Sequence, residues 1–283
     1  MNQFQILRQL LKSERPLLMP DAYDVISARM IEHCGFKAIQ CSGYSMAMSL
    51  GLTSEDHLSF AQNLYATRNI VQATGLPVMA DGEDGYGSPD EVMTTVSKFI
   101  NAGVSGINIE DQVLRNKNVK GVISCAEMLE KLIAARETAI KLDKAELVIN
   151  ARTDALAIAK NRTQGLHDAI ERAGHYLETG ANLIFVTSVR SIDEVKILVN
   201  EIPGPLSIAA GLPYNLDTLS IKDLGACGVT RVSLPTIALF TSVGGLKRCL
   251  SLIKDSGDVS TLGKLNLLCE PEDLNALSAN VAR

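Results

Sequence analysis

The stretch LPVMADGEDGYG, residues 76–87, passes from an apolar run directly into acids and glycines. Its first half has the continuous hydrophobicity of a strand that is buried on both faces, as in a parallel sheet covered by helices. Three acids, Asp81, Glu83 and Asp84, then follow within four positions. A solvated turn would accommodate them, and so would a bound cation. The choice between these two readings depends on what the rest of the chain places beside them.

Seven more apolar runs of this kind occur along the chain, separated by segments with helical spacing. They are PLLMPDAY (16–23), KAIQCSG (37–43), VSGINIED (104–111), ELVINART (146–153), NLIFVTS (182–188), PLSIAAG (205–211) and VTRVSLP (229–235). Several of the helical segments open on Ser, Asp or Asn and close on Gly, which are preferred helix caps. Eight such units in about 240 residues predict a (β/α)8 TIM barrel. An open doubly wound sheet is the alternative, because periodicity does not reveal closure.

The organisation along the chain predicts a single domain over residues 1–283. No linker, low-complexity tract or break in composition divides it. After Pro235 the sequence has helical stretches and no further strand, so we expect a C-terminal helical extension from about residue 236. This extension is a candidate for packing on a neighbouring subunit.

Composition excludes several classes of function. The 283 residues are 46% hydrophobic and 21% charged with a net charge of -5, which does not suit a nucleic-acid-binding protein or a basic membrane-surface helix. No run approaches the roughly 20 apolar residues of a membrane span, and the N-terminus lacks the apolar core of a signal peptide. Six scattered cysteines without a CxxC pair predict reduced thiols. We therefore expect a cytoplasmic protein with no nucleic-acid or membrane partner.

Acids follow neighbouring strands of the predicted barrel. Asp81 and Glu83 follow the third strand, and Glu110 ends the fourth. Since loops converge at the C-terminal ends of barrel strands, these carboxylates would repel one another unless a cation lay among them. Oxygen ligands without His or Cys indicate a hard ion, Mg²⁺ or alternatively Mn²⁺. Capping of the following helices or solvation at the rim is the simpler reading for any one acid alone.

Four segments carry a resemblance to a known family. They are PDAYDVISARMIEHCGFKAIQCSGY (20–44), MADGEDGYG (79–87), AGVSGINIEDQ (102–112) and INARTDAL (149–156). In order and spacing they resemble the signatures of the isocitrate lyase/phosphoenolpyruvate mutase superfamily, across roughly residues 16–190. The resemblance implies an enzyme for small 2-oxo or 2-hydroxy acids. Such enzymes make or break a C–C or P–C bond beside a pyruvyl unit, through an enolate stabilised by Mg²⁺.

The resemblance also assigns metal ligands. Asp81 matches the acid that touches the ion, and Glu83 and Glu110 match the acids that hold its water shell. The common motif is Asp-x-Asp-Thr-Gly-Tyr-Gly, so Glu83 replaces its second Asp and Asp84 replaces its Thr. The longer side chain of Glu83 still reaches a metal-bound water, and we expect the ion to be retained.

Substrate-binding residues follow from the same resemblance. Ser42 and Gly43 match the segment that binds the pyruvyl carboxylate, and Arg152 matches its cationic partner. Tyr44 and Tyr86 lie in matched segments, where each either donates a hydrogen bond to the substrate or lines the pocket. The family's aspartate after the second strand falls near residues 54–56, where Ser54, Glu55 and Asp56 are all candidates.

The segment VLRNKNVKGVIS, residues 113–124, departs from the lyase branch. Lyases of the family carry Lys-Lys/Arg-Cys-Gly-His on this mobile loop, and here the cysteine and histidine are absent. Cleavage of isocitrate or methylisocitrate by that mechanism is therefore not expected. Asn118 instead matches an asparagine of the mutases that contacts the leaving group, and the loop's positive charge comes from Arg115, Lys117 and Lys120. Cys125, just downstream, is expected to be a buried helix residue.

Taken together, these features predict a Mg²⁺-dependent enzyme that acts on an oxaloacetate- or phosphonopyruvate-like 2-oxo acid. One alternative is a C–C lyase acting on a 2-methylisocitrate- or dimethylmalate-like 2-hydroxy acid, and another is a catalytically silent barrel that binds a dicarboxylate. A Schiff-base aldolase is disfavoured, because no predicted strand ends in lysine. The resemblance further implies a homotetramer with exchanged C-terminal helices.

Overall fold

Eight parallel strands close into a barrel in a computed structural model that describes residues 1–114, 121–212 and 215–278. Each strand pairs with the next along the chain, and the last pairs with the first. The (β/α)8 prediction is confirmed and the open-sheet alternative is wrong. The strands are β1 (Leu17–Ala22), β2 (Ile39–Cys41), β3 (Val78–Asp81), β4 (Gly106–Glu110), β5 (Val148–Thr153), β6 (Leu183–Val186), β7 (Leu206–Ala209) and β8 (Arg231–Leu234).

Helices surround this barrel, and a short 3-10 helix spans Glu55–His57. The helices are α1 (Gln3–Ser13), α2 (Val25–His33), α3 (Gly43–Ser49), α4 (Phe60–Ala73), α5 (Pro89–Ala102), α6 (Cys125–Lys141), α7 (Ala155–Ile158), α8 (Arg162–Glu178), α9 (Ile192–Glu201), α10 (Ile221–Ala226), α11 (Ile237–Ser256), α12 (Ser260–Lys264) and α13 (Pro271–Ser278). Side chains such as those of Ser59 and Ser124 cap them as the sequence predicts. Across the described ranges no helix combines the length and the apolarity that crossing a bilayer requires.

An apolar plug fills the N-terminal end of the barrel. Leu17 and Met19 of β1 pack there with Met79 of β3 and Val148 of β5. Leu7 of α1, which has no exposed surface, closes this end from below. The bottom of the barrel is therefore a stabilising core, and it leaves the C-terminal end for chemistry.

A polar layer lies inside the barrel above this plug. Arg231 of β8 has no exposed surface; its Nη2 donates to Gln40 Oε1 at 2.6 Å and its Nη1 donates to Ser207 Oγ at 2.8 Å. Burial lowers the pKa of Arg231 to about 10, so the guanidinium stays charged at neutral pH. Nearby, Asn150 Nδ2 donates to Asn108 Oδ1 at 2.6 Å. Hydrogen bonding makes burial of these groups tolerable, and together they form the floor of the C-terminal mouth.

Helix α11 begins directly after the barrel closes, close to the predicted start of the C-terminal extension. Of its 20 residues, Leu239 is buried, whereas Val243, Leu246 and Leu250 each expose more than half of their surface. Large apolar side chains exposed side by side are typical of interaction surfaces.

Candidate active site

A cavity of about 340 Å³ opens at the C-terminal mouth of the barrel. Residues from several strand ends and from the following loops line it, as expected where βα loops converge. They are Asp21, Ser42, Tyr44, Glu55, Asp81, Asn108, Arg152, Phe185, Thr187, Ala209, Ser233, Pro235, Thr236 and Phe240. Four of the predicted site residues, Ser42, Tyr44, Asp81 and Arg152, are therefore brought together around one space.

The backbone after β3 is held in a fixed path that places its acids. Glu83 adopts a left-handed conformation with φ of 52°, and its carbonyl accepts a hydrogen bond from the Glu110 amide at 2.9 Å. On the other side, Lys131 of α6 donates from Nζ to the carbonyl of Asp84 at 2.7 Å. The ends of β3 and β4 are thereby tied to each other and to α6, so the carboxylates of Glu83 and Glu110 occupy neighbouring positions.

The carboxylates of Glu83 and Glu110 are buried and incompletely paired. Each residue exposes 2% or less of its surface, and within the described ranges Oε1 of each has no hydrogen-bond partner. Burial, followed by the charges of Asp81 and Glu110, raises the pKa of Glu83 well above its usual range. Burial also raises the pKa of Glu110, with Arg152 opposing it. Unsatisfied buried oxygens of this kind need a cation or ordered water to be tolerated.

These oxygens fit a hydrated hard cation better than a fully protein-coordinated one. In the parts of the chain that the structure describes, no group of three or more His, Cys, Asp or Glu side chains is arranged to hold a metal ion by itself. Mg²⁺ commonly keeps several waters and uses one or two carboxylates directly. The donor set of Asp81, Glu83 and Glu110 suits that mode, because unpaired carboxylate oxygens accept hydrogen bonds from metal-bound water.

Arg152 is held rigidly on β5 by acids on two sides. Its Nη1 lies 2.5 Å from Glu110 Oε2, its Nε and Nη2 donate to the two carboxylate oxygens of Asp154 at 2.8 and 3.0 Å, and Nη2 also donates to Gln112 Oε1 at 3.0 Å. Burial acts to lower the pKa of Arg152, but the charges of Asp154 and Glu110 outweigh it and raise that pKa well above the usual value. The guanidinium is a permanent, oriented cation at the cavity wall.

A further set of contacts supports Arg152, and no sequence pattern predicted it. Asp111, which is fully buried, accepts hydrogen bonds from the Tyr176 hydroxyl at 2.8 Å and from Arg172 Nη1 at 3.1 Å. Its other oxygen accepts the Asp154 amide at 2.9 Å. Helix α8 thus positions Asp111, Asp111 positions Asp154, and Asp154 orients Arg152.

The Ser42–Tyr44 segment joins β2 to α3 and faces the same cavity. Ser42 caps α3, with its Oγ accepting the Ser45 amide at 3.1 Å. The Gly43 amide donates to Asp81 Oδ2 at 3.0 Å. A Cβ on Gly43 would overlap Glu83 Oε1 and lie 3.3 Å from Asp81 Oδ2, so glycine is needed here for the two acids to approach.

The remaining predicted residues fall in different places. Of the three candidates after the second strand, Glu55 lines the cavity, and burial raises its pKa. Tyr44 also lines the cavity, whereas the Tyr86 hydroxyl accepts a hydrogen bond from Asn63 Nδ2 at 2.8 Å outside it. Cys125 is the first residue of α6 and is only partly buried, against expectation.

The loop predicted to cover the substrate is described only at its two ends. Gln112 and Val122 form an antiparallel bridge, and the Val113 amide donates to the Gly121 carbonyl at 2.9 Å. Asn118 and its basic neighbours lie within residues 115–120, outside the described residues. Their predicted contacts with a leaving group stay predictions.

Asp21 and Ser233 also line the cavity, and no role was predicted for either from the sequence. Ser233 Oγ on β8 donates to Asp21 Oδ1 on β1 at 2.9 Å, and Asp21 exposes 6% of its surface. Burial raises the pKa of Asp21 to about 8, although Arg231 and Ser233 act to lower it. The alternation of β1 was the available signal, because Asp21 shares the inward face with Met19.

Comparison with known proteins identifies the family. Residues 7–254 match the family model described as phosphoenolpyruvate phosphomutase. The chain belongs to the phosphoenolpyruvate phosphomutase family. The resemblance to the wider superfamily of isocitrate lyases and phosphoenolpyruvate mutases is thereby confirmed, and the members similar to this chain are named lyases, mutases and hydrolases.

Relatives of this phosphomutase-family chain act on different small acids. A 2-methylisocitrate lyase from Halalkalibacterium halodurans is 31% identical over 287 residues, covering 98% of this chain and 92% of that protein. A solved structure of oxaloacetate acetylhydrolase with its product oxalate has a TM-score of 0.86 at 26% identity, covering 99% and 96% of the two chains. Phosphonopyruvate hydrolase with oxalate and Mg²⁺ has a TM-score of 0.86 at 25% identity, with the same coverage.

The fit between Gly43 and Glu83 gives a first prediction. Gly43→Ala forces Glu83 to move, and overpacking of this kind costs about 1–3 kcal/mol of unfolding free energy, measurable by urea denaturation. Glu83→Asp in the same chain shortens the side chain by one methylene and should recover part of the loss. Gly174→Ala is the matched control, since nothing lies within 4 Å of the added Cβ and α8 gains a better helix former. A Gly43→Ala protein as stable as the parent would contradict the contact.

The raised pKa of Glu83 gives a second prediction, made for metal-free buffer. A carboxyl whose pKa is higher in the folded state stabilises the fold below its unfolded pKa, and this contribution is lost as pH rises. Glu83→Gln removes the buried charge, so it should stabilise the protein by about 1–3 kcal/mol at pH 8 and by less at pH 5. Urea denaturation at both pH values measures this.

Glu127→Gln is the matched control for that experiment. Hydrogen bonds from the Ser124 hydroxyl and amide lower the pKa of Glu127, so its carboxylate stabilises the fold at neutral pH and loses this effect as pH falls. The Gln variant should therefore be less stable than the parent at pH 8. Equal stability of Glu83→Gln and the parent at both pH values would show that Glu83 carries no buried charge.

Proposed function

We propose that this protein is a Mg²⁺-dependent enzyme that cleaves or rearranges a C–C or P–C bond of a small 2-oxo acid through a pyruvate enolate. The expected substrates resemble oxaloacetate or phosphonopyruvate. One observation carries the proposal: buried carboxylates with unpaired oxygens, on Glu83 and Glu110, lie beside the cavity that Asp81 and the fixed guanidinium of Arg152 line. A cation site and a carboxylate-binding site are thereby adjacent.

Three acids would hold the metal ion. Asp81 would contact it directly, and Glu83 and Glu110 would accept hydrogen bonds from its waters. Mg²⁺ bound there would stabilise negative charge developing on the oxo oxygen of the substrate, and Mn²⁺ suits the same oxygen donors. The Mg²⁺ and oxalate in the structure of phosphonopyruvate hydrolase support this assignment, because oxalate has the shape and charge of a pyruvate enolate.

Arg152 and the Ser42–Gly43 segment would hold the substrate carboxylate. A guanidinium has five N–H groups, and hydrogen bonds to described residues occupy the three on Nε and Nη2 of Arg152. Nη1, which forms an ion pair with Glu110, would supply a charge-assisted hydrogen bond to the substrate. Since Asp154 and Glu110 fix the plane of the guanidinium, a carboxylate bound to it has one orientation relative to the acids.

The loop at residues 113–124 supports a 2-oxo acid over a 2-hydroxy acid. Cleavage of a 2-hydroxy acid requires removal of the hydroxyl proton, and this loop offers no Cys, His, Asp or Glu for that purpose. Its Asn118, with Arg115, Lys117 and Lys120, would instead meet a second carboxylate or a phosphonate. Decarboxylation and P–C bond cleavage would both use these loop residues, so the loop does not distinguish the two reactions.

A C–C lyase acting on a 2-methylisocitrate- or dimethylmalate-like substrate is the second candidate function. The observation that favours it is the similarity to the 2-methylisocitrate lyase, which extends over 98% of this chain. A catalytically silent dicarboxylate-binding barrel fits less well. Binding of a dicarboxylate requires a cation such as Arg152. It does not require the buried, unpaired carboxylates of Glu83 and Glu110, which are costly to the fold.

Ligand binding and turnover test the proposed function. Mg²⁺ with oxalate at about 100 times its dissociation constant should stabilise the fold by roughly 2.7 kcal/mol, measured as a rise in melting temperature. Asp81→Ala should abolish both this rise and pyruvate release, whereas the exposed control Asp90→Ala should keep both. If Asp81→Ala retained turnover, the metal assignment would be wrong.

A substrate panel separates the candidate reactions. Pyruvate release is measured with oxaloacetate, phosphonopyruvate and 2-methylisocitrate, each with Mg²⁺ and with EDTA. We expect metal-dependent release from one of the two 2-oxo acids. Release from 2-methylisocitrate alone would establish the lyase alternative, and an oxalate-dependent rise in melting temperature without any turnover would establish the silent barrel.

We also propose a homo-oligomer, tetrameric by family resemblance, in which the helices after residue 236 pack on a neighbouring copy. The exposed apolar row of Val243, Leu246 and Leu250 on α11 supports this arrangement. Leu246→Asp should lower the molar mass measured by light scattering after size-exclusion chromatography. Ile140→Asp, which changes an exposed residue of α6, should not. A monomeric parent protein would contradict the proposal.

A further inference from the structure

When the proposed reaction cleaves its substrate, the enolate must receive a proton at its C3 carbon to leave as pyruvate. In related lyases a cysteine of the mobile loop serves as acid and base, but residues 113–124 of this chain hold no Asp, Glu, His, Cys or Tyr. The titratable side chains of this loop are Arg and Lys, whose usual pKa values lie far above neutrality and are poorly matched to a group that both gives and takes a proton. The side chains that line the cavity include better-matched proton donors.

Three carboxyl groups line the described part of the cavity: Asp21, Glu55 and Asp81. Asp81 accepts the Gly43 amide and belongs to the proposed metal site. Arg152 is the charge that acts most strongly on Glu55, so Glu55 belongs with the proposed carboxylate site. Asp21 lies on β1 and its hydrogen-bond partner Ser233 lies on β8, and neither residue is assigned to the proposed metal or carboxylate site.

The surroundings of Asp21 keep its carboxyl group protonated and oriented. Ser233 Oγ donates a hydrogen bond to Asp21 Oδ1 at 2.9 Å. The charged or titratable groups that act on Asp21 are Arg231 of β8, Asp81 of β3 and Cys41 of β2. Burial dominates and raises the pKa of Asp21 to about 8. A buried carboxylic acid with a pKa near neutrality is suited to both giving and taking a proton.

We infer that Asp21 is the catalytic acid that delivers a proton to C3 of the pyruvate enolate, a role that rests on the proposed function. The O–H bond of Asp21 breaks, and the electron pair of the enolate C2–C3 double bond forms the new C3–H bond, giving the methyl group of pyruvate. Ser233 Oγ and the charge of Arg231 stabilise the carboxylate that remains. Water then returns the proton to Asp21, and in the reverse direction that carboxylate removes a methyl proton from pyruvate.

Exchange of the pyruvate methyl protons in D₂O tests this role without knowledge of the natural substrate. The protein is incubated with Mg²⁺ and pyruvate, and loss of the methyl signal is followed by proton NMR. Asp21→Asn should slow exchange by at least about 10²-fold. The rise in melting temperature with Mg²⁺ and oxalate should remain, because Asp21 is not assigned to the metal or the carboxylate site. Asp90→Asn, an exposed Asp-to-Asn control, should exchange like the parent.

Ser233→Ala gives a second readout that does not depend on Asp21→Asn folding. The Ser233 hydrogen bond favours the carboxylate form of Asp21, so its loss should raise the pKa of Asp21 further. Exchange begins with the carboxylate, and its rate therefore rises with pH through this pKa. The midpoint of the profile should move to higher pH in Ser233→Ala, which a purely structural role of Ser233 would not produce.

The possible outcomes separate the two proposals. Exchange within about twofold of the parent in Asp21→Asn, or an unshifted midpoint in Ser233→Ala, overturns the role of Asp21 alone. A parent protein that responds to Mg²⁺ and oxalate but exchanges no methyl protons also overturns the role of Asp21 and leaves the metal site standing. A parent protein with neither response overturns the proposed function as well.

Discussion

The mouth of this barrel depends on one electrostatic constraint: more carboxylates converge there than the described cations neutralise. Arg152 compensates Asp154 and one oxygen of Glu110, and Arg231 lies one layer deeper. Among the residues that the structure describes, none forms an ion pair with Glu83, and burial together with the neighbouring acids raises the pKa of Glu83 against the opposing charge of Arg152. Charge of this kind is costly for an empty fold, and it becomes favourable when a divalent cation binds. In the proposed function, the site would thus lose folding stability and gain affinity for the metal ion.

The layering of the barrel interior makes that arrangement possible. The apolar plug around Met19 and Met79 supplies core stability at one end. The hydrogen-bonded layer of Arg231, Gln40 and Ser207 separates it from the mouth. Because Arg231 is hydrogen-bonded to both Gln40 and Ser207, the acids above them lie against fixed dipoles rather than mobile side chains. In the proposed reaction this preorganisation would stabilise the negative charge that develops on the enolate.

The sequence predicted the strands and the convergence of the acids well, for a physical reason. Two-sided burial gives every barrel strand an apolar run, and closure then forces the residues after each run, such as Asp81 and Glu110, to one end. The residues that the sequence did not predict lie on the inward face of the strands. Arg231 and Asp21 interrupt apolar runs, and only the closed geometry shows that their partners, Gln40 and Ser233, come from other strands.

The replacement of the family's usual aspartate by Glu83 explains a further feature of the site. A glutamate extends one methylene further, and its Oε1 occupies the space that a Cβ at position 43 would need. Gly43 therefore has two roles. The absence of a side chain lets Glu83 approach, and the backbone amide of Gly43 donates a hydrogen bond to Asp81. The segment proposed to bind the substrate carboxylate and the acids proposed to surround the metal are thus in direct contact. A displacement of either group must be transmitted to the other, so metal and substrate binding should be energetically coupled through Gly43.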